Sequence, residues 1–214
     1  MARSADAHVG HVVSRAERYI KFDVRPDGLR LVVSMSYGPA QSLLAMRDGD
    51  ANEDGELTQA EADGYMERWT DALAEGLVVS VNGQPQPMVF AEPYFDPLGT
   101  VRAAPGAVEA VAMLQLSPGS YTVEVEDRMA TRNVDRTDVV FRAATGGELL
   151  GGGRDEALPE PSAVAYGPSN DPIRLVCEMH VPGLPLWAYG VAGSILCLLL
   201  LGLWMWLRRK ASAG

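Results

Sequence analysis

Residues 50–61, DANEDGELTQAE, decide how this chain is organised. Side chains with oxygen atoms occupy positions 1, 3 and 5 of the stretch, a glycine occupies position 6 and a glutamate position 12. Short Asp and Asn side chains reach inward from a tightly wound loop, and glycine accepts the positive φ that a sharp bend requires. Leu57, at position 8, is expected to point into a core. The spacing therefore predicts a loop that gathers oxygen ligands around a hard cation.

This spacing resembles the loop of the EF-hand calcium-binding proteins. The predicted Ca²⁺ ligands are Asp50, Asn52, Asp54, Glu56, Thr58 and Glu61. The EF-hand pattern implies that Glu56 binds through its backbone carbonyl, Glu61 through both carboxylate oxygens, and Thr58 directly or through a water. The alternative is an acidic, solvated turn before a helix. Several constrained positions match at once, which favours calcium.

Helices are predicted on both sides of the loop, so residues 39–76 form a helix-loop-helix. Pro39 suits the first turn of the entering helix. Thr58 and Glu61 form a T-x-x-E capping box at the start of the exiting helix, and Gly76 is placed to end it. The exiting helix repeats apolar residues at helical spacing, namely Ala62, Met66, Trp69 and Leu73. The sequence contains no second loop of this kind, which favours a structural site over a calmodulin-like sensor.

The rest of the chain has the pattern of β-structure, so the predicted fold class is α+β. We expect a mainly antiparallel, β-sandwich-like domain of seven or eight strands that the helix-loop-helix interrupts. Residues 1–38 are assigned to an N-terminal hairpin and residues 77–144 to further strands. The predicted pairs are 17–24 with 29–37, 77–81 with 88–91 around Asn82-Gly83, and 108–116 with 121–126, followed by a strand at 136–143.

Residues 145–186 are predicted to hold a flexible segment, a last strand and a short stalk. The stretch 145–172 is rich in Gly, Pro, Ser and acidic residues and has the composition of a long loop. The last strand is expected at 173–179.

A charge-free run at residues 187–207 is long enough to cross a bilayer as a helix. The tail at 208–214 begins with Arg208, Arg209 and Lys210, so the positive-inside rule places it in the cytoplasm and the N-terminal domain outside. However, residues 1–20 contain no long apolar core typical of a signal peptide. Either an export signal is missing from this sequence, which we favour, or the chain is inserted tail-first.

Composition excludes several function classes. A net charge of −10 and a pI of about 4.7 argue against nucleic-acid binding, which usually needs a basic face. The two cysteines, Cys177 and Cys197, imply no disulfide framework, because Cys197 lies in the apolar run. No P-loop, nucleophile elbow or Ser/His/Asp set is present, so no enzymatic activity is predicted.

Two weaker groups of side chains have transition-metal chemistry. His8 and His11 lie near the N-terminus, and Cys177, Met179 and His180 form a C-x-M-H cluster with soft ligands suited to copper. Neither group has the spacing of a zinc site. For the cluster, a strand end beside the stalk is the favoured interpretation.

Residues 7–90 resemble the extracytoplasmic N-terminal region of bacterial nickel/cobalt exporter-type membrane proteins. The resemblance lies in AHVGHVVSRAERYIKFDVRPDGLRLVVSMSY at 7–37, the loop at 50–61 and AEGLVVSVNGQPQPM at 74–88. It implies an extracytoplasmic location. The chain departs from the family because it has one apolar span without intramembrane His or acidic residues, so it is not itself a transporter of that type.

The leading hypothesis is a calcium-binding domain of a bacterial cell envelope, anchored in the membrane by its single C-terminal helix, with calcium in a structural role. The alternative is an accessory subunit that presents or senses transition metal for a partner membrane protein such as a metal permease.

Overall fold

The computed structural model describes residues 15–129, 134–144, 146–154, 163–169 and 171–182. The predicted membrane span at 187–207, the tail at 208–214, His8 and His11 lie outside the described residues. Within the described ranges, neither helix has the length and apolar character needed to cross a membrane.

The elements are β1 (Ala16–Arg25), β2 (Gly28–Tyr37), α1 (Pro39–Gly49), β3 (Glu56–Leu57), α2 (Gln59–Gly76), β4 (Leu77–Val81), β5 (Gln84–Gln86), β6 (Phe90–Asp96), β7 (Gly99–Thr100), β8 (Gly106–Gln115), β9 (Gly119–Asp127), β10 (Arg136–Ala143), β11 (Glu148–Arg154), β12 (Ala163–Tyr166) and β13 (Ile173–Val181).

Two sheets share one apolar core. The first has the strand order β12-β10-β1-β2-β8-β6 and the second the order β11-β13-β9-β4-β5. Neighbouring strands in both are antiparallel, except that β1 and β10 run parallel. Alternate residues of each strand point inward, as Ile20 and Phe22 do in β1 and Leu77 and Val79 do in β4. The prediction of a mainly antiparallel, sandwich-like α+β domain is confirmed.

The two helices extend this core at one end of the six-stranded sheet. Met35 and Val108 continue the inward alternation of β2 and β8, but they belong to a second buried cluster with Met46 of α1, Leu57 of β3 and Met66 of α2. Helix α2 then passes directly into β4 of the other sheet. The helix-loop-helix is therefore built into the sandwich and shares its packing.

A buried ion pair joins the two sheets. Arg18 of β1 donates two hydrogen bonds to the carboxylate of Asp127 at the end of β9, and both side chains are only 1% exposed. The Tyr166 hydroxyl donates to Asp127 Oδ2 at 2.7 Å, and Arg18 Nε donates to Thr137 Oγ1 at 3.3 Å. Burial, with the Asp127 charge beside it, raises the pKa of Tyr166 and keeps its hydroxyl a donor. Every strong polar group of this cluster thus has a partner inside the core.

Two predicted hairpins were wrong. The turn at Asn82-Gly83 pairs β4 with residues 84–86, because a two-residue turn returns the chain at once, and residues 90–96 pair with β8 instead. Strands β8 and β9 do not pair with each other. Strand β8 lies between β2 and β6, whereas β9 lies between β13 and β4. The link between them crosses from one sheet to the other.

The prediction of a flexible segment at 145–172 was also wrong for the described part of the segment, where residues 148–154 form β11 and residues 163–166 form β12. Residues 145, 155–162 and 170 of this prediction lie outside the described residues. Glycine-rich composition misled the prediction. A Cβ at Gly152 would lie 2.6 Å from Cγ of Phe141, so glycine lets β11 pass close over that ring. Part of the Gly content is thus a packing requirement of a strand. The last strand, predicted at 173–179, is β13 and reaches Val181. The described residues hold thirteen strands against the seven or eight predicted.

Candidate calcium-binding loop

The loop between α1 and α2 has a backbone that turns sharply twice. Asp50 ends α1, and its N–H donates to the Met46 carbonyl at 2.9 Å. Two residues then adopt positive φ, Glu53 at 58° and Gly55 at 83°. Glycine takes this conformation at no steric cost, which is the reason for its place at position 6 of the loop. The winding brings the chain back towards the start of α2.

Side chains at positions 1, 3 and 5 hold the winding by bonding backbone N–H groups further along. Asp50 accepts from the amides of Asp54 at 3.2 Å and Gly55 at 2.9 Å. Asn52 Oδ1 accepts from the same Asp54 amide at 2.9 Å, and Asp54 Oδ1 accepts from the Glu56 amide at 2.9 Å. Because Asp50 Oδ1 and Asn52 Oδ1 share one donor, these two oxygens lie close together. The bonds of Asn52 and Asp54, each to the amide two residues on, are Asx turns, a local structure that Asp and Asn favour.

Glu61, at position 12, reaches back to the loop from the first turn of α2. Its Oε2 accepts from the Thr58 amide at 3.0 Å and the Thr58 hydroxyl at 2.7 Å, while Oε1 accepts from the Asn52 amide at 3.4 Å. The Glu61 amide in turn donates to the Thr58 hydroxyl, which completes the predicted capping box. The Thr58 hydroxyl and amide hold the pKa of Glu61 below its usual range, so its carboxylate is charged at neutral pH.

The carbonyl of Glu56 lies in a short strand pair that the sequence did not predict. Strand β3 pairs with β7, and the Val101 amide donates to the Gly55 carbonyl at 2.8 Å. Glu56 and its partner Thr100 are therefore a non-hydrogen-bonded pair, and β7 does not take the Glu56 carbonyl. Leu57 is only 1% exposed and packs in the second buried cluster, with Met46 and Met66, as its position 8 predicted. This pair fixes one side of the loop to the sandwich.

The six predicted ligands lie on one loop, and each offers an oxygen atom, the donor type that calcium takes. The carboxylates of Asp54 and Glu61 accept hydrogen bonds from groups within the loop. Asp54 Oδ2 accepts from the side-chain Nδ2 of Asn52 at 3.0 Å, and Glu61 Oε2 accepts from the backbone amide of Thr58. Among the described side chains, no group of three or more His, Cys, Asp or Glu is arranged to hold a metal ion.

The soft-ligand cluster near the end of β13 is divided between the two faces of the sheet. Cys177 is 1% exposed and Met179 fully buried, and both belong to the main core. His180 points to the opposite face, where its Nδ1 lies 3.1 Å from the Ser120 hydroxyl. The strand therefore does not bring these three groups together.

Burial raises the pKa of the Cys177 thiol to about 12, so we expect this thiol to be inert in the folded protein. Alkylation with iodoacetamide, followed by mass spectrometry of the Cys177 peptide, should show modification in urea and almost none without it. Equal modification rates in the two conditions would show that Cys177 is accessible.

The comparisons with known proteins place the chain in no family. No protein-family model matches it, and no curated protein sequence matches it. One solved structure that it resembles is the folded domain of LppM from Mycobacterium tuberculosis, determined by NMR. That likeness has a TM-score of 0.35 and 8% sequence identity over 84% of this chain and 97% of that domain. At this TM-score it carries no argument about function.

Proposed function

We propose that the chain is a calcium-binding domain of a bacterial cell envelope, held to the membrane by one C-terminal helix. The observation that supports calcium most strongly is the internal order of the loop. Asp50 and Asn52 each place one oxygen at the backbone amide of Asp54, Glu61 reaches back to the backbone amide of Asn52, and β7 leaves the Glu56 carbonyl available. Oxygen donors of this number and spacing are those that calcium takes.

We propose a structural role for the ion. Bound calcium would tie the end of α1, at Asp50, to the first turn of α2, at Glu61. EF-hand loops usually pair with a second EF-hand loop. Here the loop pairs instead with strand β7 of the same domain. Extracellular modules of this kind bind with Kd values of about 10⁻⁴–10⁻³ M. At ten times Kd the ion would stabilise the fold by about 1.4 kcal/mol.

The membrane part of the proposal rests on the sequence. The charge-free run at 187–207 has the length of a bilayer-spanning helix, and the basic residues after it favour an outside location for the domain. An outside location also suits the proposed ion, since a weak site fills only where calcium is plentiful.

The second candidate is a transition-metal accessory role beside a partner transporter. It rests on His8, His11, His180 and the resemblance to exporter-type proteins. The burial of Cys177 and Met179 in the core removes the soft ligands from this candidate. It therefore depends on the histidines alone.

Calorimetry of the purified protein against calcium, magnesium and nickel would separate the two functions. We expect one calcium ion per chain and much weaker magnesium binding, because magnesium demands near-ideal octahedral geometry and dehydrates reluctantly. Nickel binding without calcium binding would favour the accessory role and contradict the structural calcium site.

A further inference from the structure

The outer face of the six-stranded sheet carries a group of basic side chains next to the β1–β2 turn. Asp23 of β1 lies opposite Arg30 of β2 on one side and Arg142 of β10 on the other. Lys21 lies two residues before Asp23 on the same strand, so it points to the same face. We call Lys21, Arg30 and Arg142 the outer basic cluster.

Among the described residues, Arg142 makes both side-chain hydrogen bonds to the Asp23 carboxylate. It donates from Nε to one carboxylate oxygen and from Nη2 to the other at 3.2 Å. Lys21 Nζ and Arg30 Nη1 lie 3.7 and 3.5 Å from Asp23 Oδ2, which is ion-pair distance but too long for a good hydrogen bond. Among the described residues, neither side chain therefore has a well-placed hydrogen-bond acceptor, and both nitrogens lie beside the same oxygen.

The outer basic cluster has more positive charges than the neighbouring carboxylate can neutralise. Three cations surround one carboxylate, and among the described residues none of the three has an ion pair with any other acid. The Asp23 side chain is only 5% exposed, whereas Lys21 is 20%, Arg30 25% and Arg142 55% exposed. An approaching anion would thus meet the cations before it met Asp23. This local excess stands out in a chain whose net charge is −10.

We propose that the outer basic cluster binds a phosphate group, with Lys21 and Arg30 as the principal donors. Charge-assisted hydrogen bonds from Lys and Arg suit phosphate oxygens. Lys21 Nζ and Arg30 Nη1 lie beside the same oxygen of Asp23, so they are close enough for a single phosphate to bridge them. The group is either free phosphate or the phosphodiester of a lipid headgroup. The site is separate from the loop at 50–61 and does not depend on calcium.

The test uses the full chain in a neutral detergent, titrated by calorimetry with inorganic phosphate and with glycerophosphoglycerol, a soluble phosphodiester headgroup. At low salt we expect phosphate to bind with a Kd of about 1 mM. The variant Lys21→Gln/Arg30→Gln should weaken binding by about tenfold or more, because the charged donors are lost. Arg142 is kept in this variant because it holds the buried Asp23.

The matched control is Arg136→Gln/Arg174→Gln, which removes two exposed arginines elsewhere and changes the net charge equally. We expect it to change the affinity less than about twofold, since distant surface charges are screened. Binding of phosphate alone identifies free phosphate as the source, and binding of the phosphodiester as well identifies the headgroup. No binding of either probe, or equal losses in the two variants with unchanged melting temperatures, would overturn the proposal.

Discussion

We expect the replacement of Glu61 by Gln to lower the calcium affinity of the proposed site by about 100-fold, which corresponds to about 2.7 kcal/mol of binding free energy. The substitution removes one negative charge and the carboxylate that we propose closes the ligand shell with both oxygens. Glutamine also serves at this position of a capping box, so helix α2 keeps its first turn. We therefore expect the calcium-free melting temperature to change little. Calorimetric titration of the variant measures the effect on binding.

Glu67→Gln is the matched control for this variant. Glu67 is exposed on the same helix, and its substitution removes the same charge at a distance from the loop. The calcium affinity of this variant should stay within about twofold of that of the unmodified protein. Salt in the solvent screens the attraction between an exposed, distant charge and the ion. Equal calcium affinities for Glu61→Gln and the unmodified protein would refute the ligand assignment.

Replacing Asp127 by Asn destabilises the sandwich by about 3–5 kcal/mol, because it leaves the Arg18 guanidinium buried without a counter-charge. Both side chains of this pair are 1% exposed, so water cannot replace the lost partner. The Tyr166 hydroxyl also loses a charged acceptor. The free energy of unfolding, measured by urea denaturation, reports the change.

The control for the buried pair is Asp138→Asn. Asp138 makes a 2.7 Å ion pair with Arg136 on the outer face of β10, where Arg136 is 60% exposed. Exposed pairs contribute about 0–1 kcal/mol, so we expect a small loss. Similar small losses for both variants would mean that the Arg18–Asp127 pair does not hold the two sheets together.

Local sequence signals predicted the local structure well. The capping box of Thr58 and Glu61 and the burial of Leu57 follow from spacings within a few residues, and they appear as predicted. The hairpin of β1 and β2 likewise follows from two alternating segments around one turn. In each case the bonds that form the structure join residues close in sequence.

Long-range pairing was beyond these signals. The bond from Val101 to Gly55 joins residues far apart in the chain, and nothing near Gly99 or Thr100 marks a strand. The Arg18–Asp127 pair is similar, since strand alternation identifies an inward position but not the charge that meets it. Both contacts depend on which strands become neighbours. Local sequence signals do not reveal that.

The most direct test of the central claim is a crystal structure of the protein grown with calcium, with anomalous scattering used to locate the ion. We expect one calcium ion at about 2.3–2.6 Å from oxygens of Asp50, Asn52, Asp54 and Glu61 and from the Glu56 carbonyl. Thr58 should contact it directly or through a water. A calcium-saturated crystal with no ion in the loop, or with its ion bound elsewhere on the chain, would contradict the account.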